Sequence, residues 1–439
     1  MERNGFKKKV LFLWLVLAVW LPLLPGQVQA AGFALFQQGT AAMAQGNAFV
    51  AEANDPSAIF YNAAGITQLK RPTFYNALVF LYPTRHYDGP FGQSADTNHR
   101  FYHTGAFYFT YPFHERVVFG LGLFNPFGLS TAWPPTWAGR YLTIYSQVRT
   151  YNLNPTLAIK LLDNLSVGLG ANVMWSSVTI KRKLPVVIPT RTGPLVLPDG
   201  ELTLKGFGTG FGVNCGVLYE PVRGVKLGFA FRSETYVGHQ GQVDIALPAF
   251  PGLKANTSID GSAGLNYPPN ATFGVSVNRF KPFTFNLDAT WTGWSSYDQL
   301  QVNLNNVILV GGKPTSVLTQ PKNWNDAWAI RFGVNYAIKE KIKLRAGYIF
   351  DMTPVPDSTF DPQVPDSNRH VFSCGADYKF EYKFFKGTVG LAYTFLFQET
   401  RTKNNLLATN GVPVAFNNQA NGIYRGNNHS LGISISTEF

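Results

Sequence analysis

From about residue 72 to its end the chain alternates apolar with small or polar residues at a period of two. Between Thr388 and Phe397, one face carries Val389, Leu391, Tyr393, Phe395 and Phe397; the other carries Gly390, Ala392 and Thr394. The last segment sets Leu431, Ile433, Ile435, Thr437 and Phe439 against Gly432, Ser434, Ser436 and Glu438. Successive side chains of a strand point to opposite faces. Apolar-out, small-or-polar-in over about ten residues is the pattern of a transmembrane β-strand. Fourteen such segments follow, near 72–84, 99–111, 116–126, 141–161, 165–182, 202–219, 224–237, 270–280, 283–296, 327–338, 341–352, 369–381, 385–398 and 425–439.

The spacers alternate in length. Short ones read PFHE, LDN, PVRG, KP, KE and EYKFF; long ones fall near 85–98, 127–140, 183–201, 238–269, 297–326, 353–368 and 399–424. Short periplasmic turns, long outer loops and an even strand number are what bacterial barrels show. Backbone groups facing lipid have no water to bond, so every edge must be paired and the sheet closes on itself. The pattern predicts an all-β chain, a fourteen-stranded antiparallel transmembrane β-barrel over 71–439. Phe439 falls on the outward parity of the last strand, which suits an outer-membrane assembly signal or an interfacial aromatic.

Composition agrees. Of 439 residues, 14% are charged, 15% are aromatic and 42 are glycine, while mean hydropathy is near zero. That excludes a bundle of membrane helices. The first thirty residues are different. Lys7, Lys8 and Lys9 precede the apolar run Val10 to Leu24, and Val28-Gln29-Ala30 places small residues where a signal peptidase cuts. Residues 1–30 are expected to be an export signal, with the mature chain starting at Ala31. Its removal takes four of the 37 basic and one of the 25 acidic residues, leaving a net +9. Those charges are scattered, with no basic run after Lys9, so nucleic acid is not an expected partner. Outer-membrane lipid and lipopolysaccharide are. Cys215 and Cys374 lie on the apolar parity of separate strands and are expected as free, lipid-facing thiols.

One segment breaks the rhythm. GLGLFNPFGLSTAWPPTWAGRY starts as a strand and runs into Asn125-Pro126-Phe127-Gly128. Proline has no N–H and restricts the residue before it. Glycine weakens a ladder too. These residues either end the third strand or leave two strands locally unpaired.

The stretch PFGLSTAWPPTWAGRY resembles the segment after the third strand in the FadL family of outer-membrane hydrophobic-substrate channels, which includes long-chain fatty acid transporters and TodX-like proteins for aromatic hydrocarbons. AGFALFQQGTAAMAQGNAFVAEANDPSAIFYNAAGITQL is similar to that family's N-terminal plug. WTGWSSYDQL (291–300) is similar to its mid-barrel strand end, and PDSNRHVFSCGADYKF (365–380) to its PD-x-x-R strand entry. One departure is Asn62-Ala63-Ala64, where the family usually has Asn-Pro-Ala. Asn62 keeps its hydrogen-bonding capacity; the turn loses the stiffness of proline.

The resemblance implies a plug, or hatch, over residues 31–70 inside the barrel and an inward kink of the third strand that opens the wall. It also implies a monomer that captures hydrophobic molecules outside and releases them sideways into the membrane. Long-chain fatty acids are the leading substrate; aromatic hydrocarbons or alkanes are the alternative. Asn125, Pro126, Phe127 and Gly128 then form the lateral gate. Apolar residues in the third and fourth long loops suggest an outer groove: Val186, Val187, Ile188, Leu195, Val196, Leu197, Leu247, Phe250 and Leu253. Arg182, on the inward parity of the fifth strand, is placed to meet a carboxylate, or to close a salt bridge in the lumen. Phe33 and Phe36 either reach a substrate pocket or anchor the plug.

No enzyme motif is present: GxSxG, Walker loop and HExxH are all absent. A lipase would need a Ser–His pair facing one site, which the parity does not suggest. His99 and His103 sit four apart on the expected second strand, roughly 13 Å at the usual rise, too far to share a metal. No cofactor or metal is expected. A general porin would instead show a charged constriction and no plug, and a structural barrel would take up no ligand.

Overall fold

The computed structural model describes residues 32–251, 256–310, 313–382, 385–406 and 420–439. The expected export signal, residues 1–30, and Leu253 lie outside the described residues. Fourteen antiparallel strands close into a barrel. They are β1 (Thr73–Asp88), β2 (Tyr102–His114), β3 (Val117–Phe124, resuming as Gly128–Ala132), β4 (Tyr145–Leu162), β5 (Leu165–Thr190), β6 (Gly193–Val222) and β7 (Val225–Arg232, resuming as Thr235–Ala246). The second half comprises β8 (Asn256–Tyr267, then Asn270–Val277), β9 (Phe283–Thr292, then Gln299–Val310), β10 (Lys313–Pro321, then Ala327–Lys339), β11 (Ile342–Asp351), β12 (Arg369–Tyr382), β13 (Phe385–Lys403) and β14 (Gly422–Glu438). Each pairs with its chain neighbours, and β14 returns to β1 from Thr73↔Glu438 to Asp88↔Ile423.

The alternation predicts each strand's core but not its reach. Three of the expected outer loops are in fact strand. Residues 183–201 hold the tips of β5 and β6, which pair as far as Thr190↔Gly193. Within 238–269, Thr235–Ala246 pairs with Asn256–Tyr267. Within 297–326, Gln299–Val310 pairs with Lys313–Pro321. In the last two the outward face turns polar, as at Gln242, Asp260 and Asn303, while Val243, Ile259, Val302 and Leu304 pack together on the inner face, so the apolar-out pattern of a membrane strand lapses. His99 lies ahead of β2 and bonds Tyr82 through Nδ1, 3.1 Å; only His103 of the pair is in the strand.

Outward side chains such as Leu391, Leu431 and Ile433 are exposed, as a lipid-facing band requires. Cys374 is exposed and Cys215 half-buried, and neither is in a disulfide. The C-terminal Phe439 bonds Pro72 O through its N–H at 3.0 Å and packs its ring against Phe74 and Phe385. Among the described residues no helix is long and apolar enough to cross a membrane.

Residues 32–69 run through the barrel interior and are bonded to its walls on several sides. Thr40 Oγ1 meets Ser434 of β14 at 2.5 Å, Gly46 N donates to Ser373 of β12 at 2.8 Å, and Thr67 Oγ1 donates to Ser166 of β5 at 2.8 Å. Asp288 of β9 accepts Phe49 N and Val50 N at 2.8 and 2.9 Å. Two inward glycines explain how a whole chain fits in the lumen. A Cβ on Gly168 would strike the backbone of Ala63, and one on Gly216 would strike the Asn62 side chain. Asn62 itself caps the short helix Ala63–Gln68 by accepting from Ala64 N, while its Nδ2 donates to Val50 O and Val217 O at 2.8 and 2.9 Å.

Glu52 is the densest anchor. Its carboxylate accepts from Gln45, Asn286 and Asn335 at 3.0, 2.8 and 2.7 Å, with Arg345 at 3.5 Å and Lys343 at 3.8 Å. Burial alone would raise its pKa, but the two cations and the amides outweigh burial and hold it at about 2.

Candidate functional site

The third strand does not end at the kink. It pairs with β2 from the periplasmic side up to Phe107↔Leu123, and there that pairing stops. After Asn125-Pro126-Phe127 the strand resumes, paired through Gly128↔Arg149 to Ala132↔Tyr145 with β4 alone. On the other side, Tyr102 to Ala106 of β2 stay paired with β1, from Leu81↔Tyr102 to Ala77↔Ala106. The barrel wall therefore has a seam between β2 and β3 with no backbone ladder.

The N-terminal segment takes the freed backbone groups. Leu35 N donates to Pro126 O at 2.8 Å, Gly128 N donates to Phe33 O at 2.8 Å, and Ala34 and Phe127 form an antiparallel bridge. Gln38 Nε2 donates to Asn125 O at 2.6 Å. Side chains cross the seam in place of a ladder: Thr104 Oγ1 to Asn125 Oδ1 at 2.8 Å, and Ser130 Oγ to Tyr102 OH at 3.2 Å. Proline at 126 is suited to this place, since its missing N–H leaves no donor to satisfy.

Above the seam lies a cavity whose wall is mostly aliphatic and aromatic, including Phe33, Val148, Ile180, Leu265, Tyr297 and Val302. Its floor is an aromatic cluster. Phe33 meets Trp294 edge-on at 4.7 Å and Tyr267 at 5.9 Å, and Phe127 lies 4.8 Å from Tyr267. Phe33 and Phe127 thus join the cavity to the seam. Phe36 lies elsewhere, under the Arg331 guanidinium at 4.3 Å, where it lines a different cavity.

Two polar clusters touch the upper cavity. Lys322 is buried and donates to Asp361 Oδ2 at 2.7 Å and Gln363 Oε1 at 3.3 Å. His239 Nε2 lies 2.8 Å from Ser176 Oγ, which also meets Tyr267 OH at 2.5 Å. This Ser–His pair is contrary to the sequence reading. It forms because β7 continues through His239, and so keeps that side chain on the inward parity. No carboxylate bonds His239 among the described residues, and none of their His, Cys, Asp and Glu side chains form a metal-binding group.

Arg182 is half-buried on β5 and lines an adjoining cavity that shares Ile180, Leu204, Leu300, Val302 and Gln363 with the one above the seam. The outer-groove residues are dispersed. Val186, Val187 and Ile188 pair with Leu197, Val196 and Leu195 near the tip of the β5–β6 hairpin. Val187, Leu195 and Val196 are exposed there, whereas Leu247 and Phe250 are half-buried beyond the end of β7. None of them lines the three cavities described. Sequence reasoning missed Lys322, His239, Tyr267, Tyr297 and Trp324, the last packed 5.7 Å from Phe33 and 5.0 Å from Trp294 in the aromatic cluster. Trp294 and Tyr297 do lie in the quoted WTGWSSYDQL stretch, and their aromatic density was the available signal.

Comparison with known proteins gives a consistent result. A long-chain fatty acid transport protein of Escherichia coli O6:H1 is 26% identical over 92% of this chain and 98% of its own. A 47 kDa outer membrane protein of Pasteurella multocida is 25% identical over 92% and 95%. Among solved structures, a Pseudomonas aeruginosa FadL homologue superposes with a TM-score of 0.77 at 22% identity, covering 93% of this chain and all of that one. The Ralstonia pickettii toluene transporter TbuX gives 0.67 at 17%, covering 92% and 100%. The model of the outer membrane protein transport protein family (OMPP1/FadL/TodX) matches residues 21–439, and the chain belongs to that family of Gram-negative outer-membrane transport barrels.

Proposed function

We propose that the protein carries long-chain fatty acids across the outer membrane by a sideways route. The observation that carries this reading is the unladdered β2–β3 seam, stoppered by the N-terminal segment and joined through Phe127 and Phe33 to an apolar cavity. Lipopolysaccharide presents a charged layer that an alkyl chain does not cross readily. An apolar cavity offers such a chain roughly 0.8 kcal/mol per buried CH₂. Transport needs a hold strong enough to capture and weak enough to release. The exposed valines and leucines of the β5–β6 hairpin are the first contact, the upper cavity is the second, and Arg182 meets the head group. Residues 32–69 act as a plug whose withdrawal of Leu35 and Phe33 from the seam opens a path into lipid. The protein works as a monomer, without catalysis, metal or cofactor. Deleting the gene and supplying oleate as sole carbon source tests the reading: growth should fail and return on complementation.

Aromatic hydrocarbons or alkanes are the second reading. The ion pair of Lys322 with Asp361 favours it, because the buried cation lining the upper cavity already has its anion. Growth on toluene or an alkane in place of oleate decides between them.

A further inference from the structure

The outer face of the wall carries two polar side chains beside the seam that a lipid-facing pattern does not call for. On β4 the outward positions nearest the periplasm are apolar, and Leu157, Ile159 and Leu161 are exposed there. Above them Tyr151 stands opposite Trp175 of β5, as an aromatic girdle does at a membrane surface. The next outward residue is Arg149, half-buried and paired with Gly128 of the resumed β3. On β2 the outward positions Phe109, Phe107 and Gly105 lead up to His103, which is half-buried and paired with Phe80 of β1.

These two residues flank the seam at one place. The Asn125 side chain spans it, accepting from Thr104 Oγ1 at 2.8 Å and donating through Nδ2 to Thr150 O. His103 and Arg149 are the chain neighbours of Thr104 and Thr150, turned to the opposite face of their strands. Among the described residues neither makes a hydrogen bond or an ion pair, and His103 Nε2 and Arg149 Nε are buried without a partner. The wall has no anion to offer them, because β2, β3, β4 and β5 contain neither Asp nor Glu. The carboxylates beyond the strand ends are already taken: Asp199 by Arg140, and Glu201 by Lys181 and Lys183.

An arginine at the border of hydrocarbon is costly without an anion. One step above the girdle it stands where the phosphates of the surrounding lipid begin, and a guanidinium takes a phosphate in a two-pronged fork. An imidazole N–H adds a second donor from the other strand. We infer that Arg149 and His103 form a phosphate site for lipopolysaccharide on the outer lip of the seam. The acyl chains of a lipid held there lie along the outward faces of Phe107 and Leu153 and cover the seam from the membrane, as Phe33 and Leu35 cover it from the lumen. The inference stands on the geometry of the wall and does not depend on which substrate passes through it.

Titrating the purified full-length protein in detergent with diphosphoryl lipid A, and with the same lipid stripped of phosphate, tests it by native mass spectrometry. The wild-type protein should bind the phosphorylated form about fivefold more tightly. R149Q should abolish that preference, H103Q should roughly halve it, and R149K, which keeps a point charge, should retain most of it and shows that the wall still folds. R425Q removes an exposed cation that pairs with Asp88 at the outer end of β14, away from the seam, and should leave the preference intact. Oleate affinity should be the same in R149Q as in wild type. A full preference in R149Q, an equal loss in R425Q, or no preference in wild type overturns the site. A fall in oleate affinity with lipid binding unchanged overturns it too, and gives the lip to the departing substrate instead.

Discussion

Two seams of the barrel face the same lipid and solve the pairing problem differently. Between β14 and β1 the ladder runs unbroken along all sixteen residues of β1, from Thr73↔Glu438 to Asp88↔Ile423. Between β2 and β3 it stops at Phe107↔Leu123. The second seam is nonetheless satisfied, because Leu35, Phe33 and Gln38 supply the donors and acceptors a neighbouring strand would have given. The first seam is permanent: separating it exposes a row of unpaired peptide groups to hydrocarbon. On the proposed transport reading the second is conditional, because it is closed by a segment that is not part of the wall. The two seams differ in what seals them, a wall ladder in one and an interior segment in the other.

The largest expected effect comes from making the conditional seam permanent. A disulfide between Thr104→Cys and Asn125→Cys, with Cys215 and Cys374 changed to Ser, joins two side chains now 2.8 Å apart. Oleate uptake should fall more than tenfold when oxidised and recover on reduction. Unchanged uptake when cross-linked would remove the lateral route. The same bridge placed across β14 and β1, where the ladder is continuous, should leave uptake unchanged.

Next in size is the loosening of residues 32–69 from the wall. Glu52→Gln removes the carboxylate that accepts from Gln45, Asn286 and Asn335, while Arg345 keeps Asp377 at 2.8 Å, so a buried network is weakened without stranding a charge. Hydrogen exchange of residues 45–53 should speed up strongly while β1 and β14 stay protected. Equal loosening of both regions would mean that the segment is structurally inseparable from the wall.

Acid should act on the same anchor. Glu52 is held at about 2 against an ordinary 4.5. Its folded-state pKa is depressed, so its contribution is full above about pH 4.5 and is lost as pH falls towards 2. Protection factors of residues 45–53, taken relative to intrinsic amide exchange at each pH, should be flat from pH 7 to 5 and fall below about 4.5. In Glu52→Gln that acid limb should be missing.

A smaller effect is expected at the rim. Val187→Ser with Val196→Ser removes exposed apolar surface from the hairpin tip, and should slow capture of oleate about two- to threefold without altering the bound amount at saturation. A change in saturation instead would place these residues within the binding cavity.

The wall was legible in the sequence and the interior was not. Period-two alternation is imposed wherever one face meets lipid, so it located the core of every strand. It faded at 183–201, which is broken by Pro185, Pro189, Pro194 and Pro198, and at 238–269 and 297–326, where the outward face turns polar, so those extensions read as loops. The candidate site was harder still. Pro126 and Gly128 advertise a disturbance, but whether the strand ends or detours depends on a partner, the segment around Leu35, some ninety residues earlier in the chain. Lys322 and His239 lay in stretches read as loop, and Arg331 is a single inward charge on an otherwise ordinary strand. Which inward charges share a cavity depends on shear and on the path of the N-terminal segment, and neither leaves a local mark.

Because residues 32–69 lead directly into β1 and β1 closes against β14, the order of events during biogenesis is constrained. The Gly168 and Gly216 surfaces leave no room for a side chain between this segment and the wall. An assembly order in which the segment occupies the lumen before the first and last strands meet is the one this close fit favours.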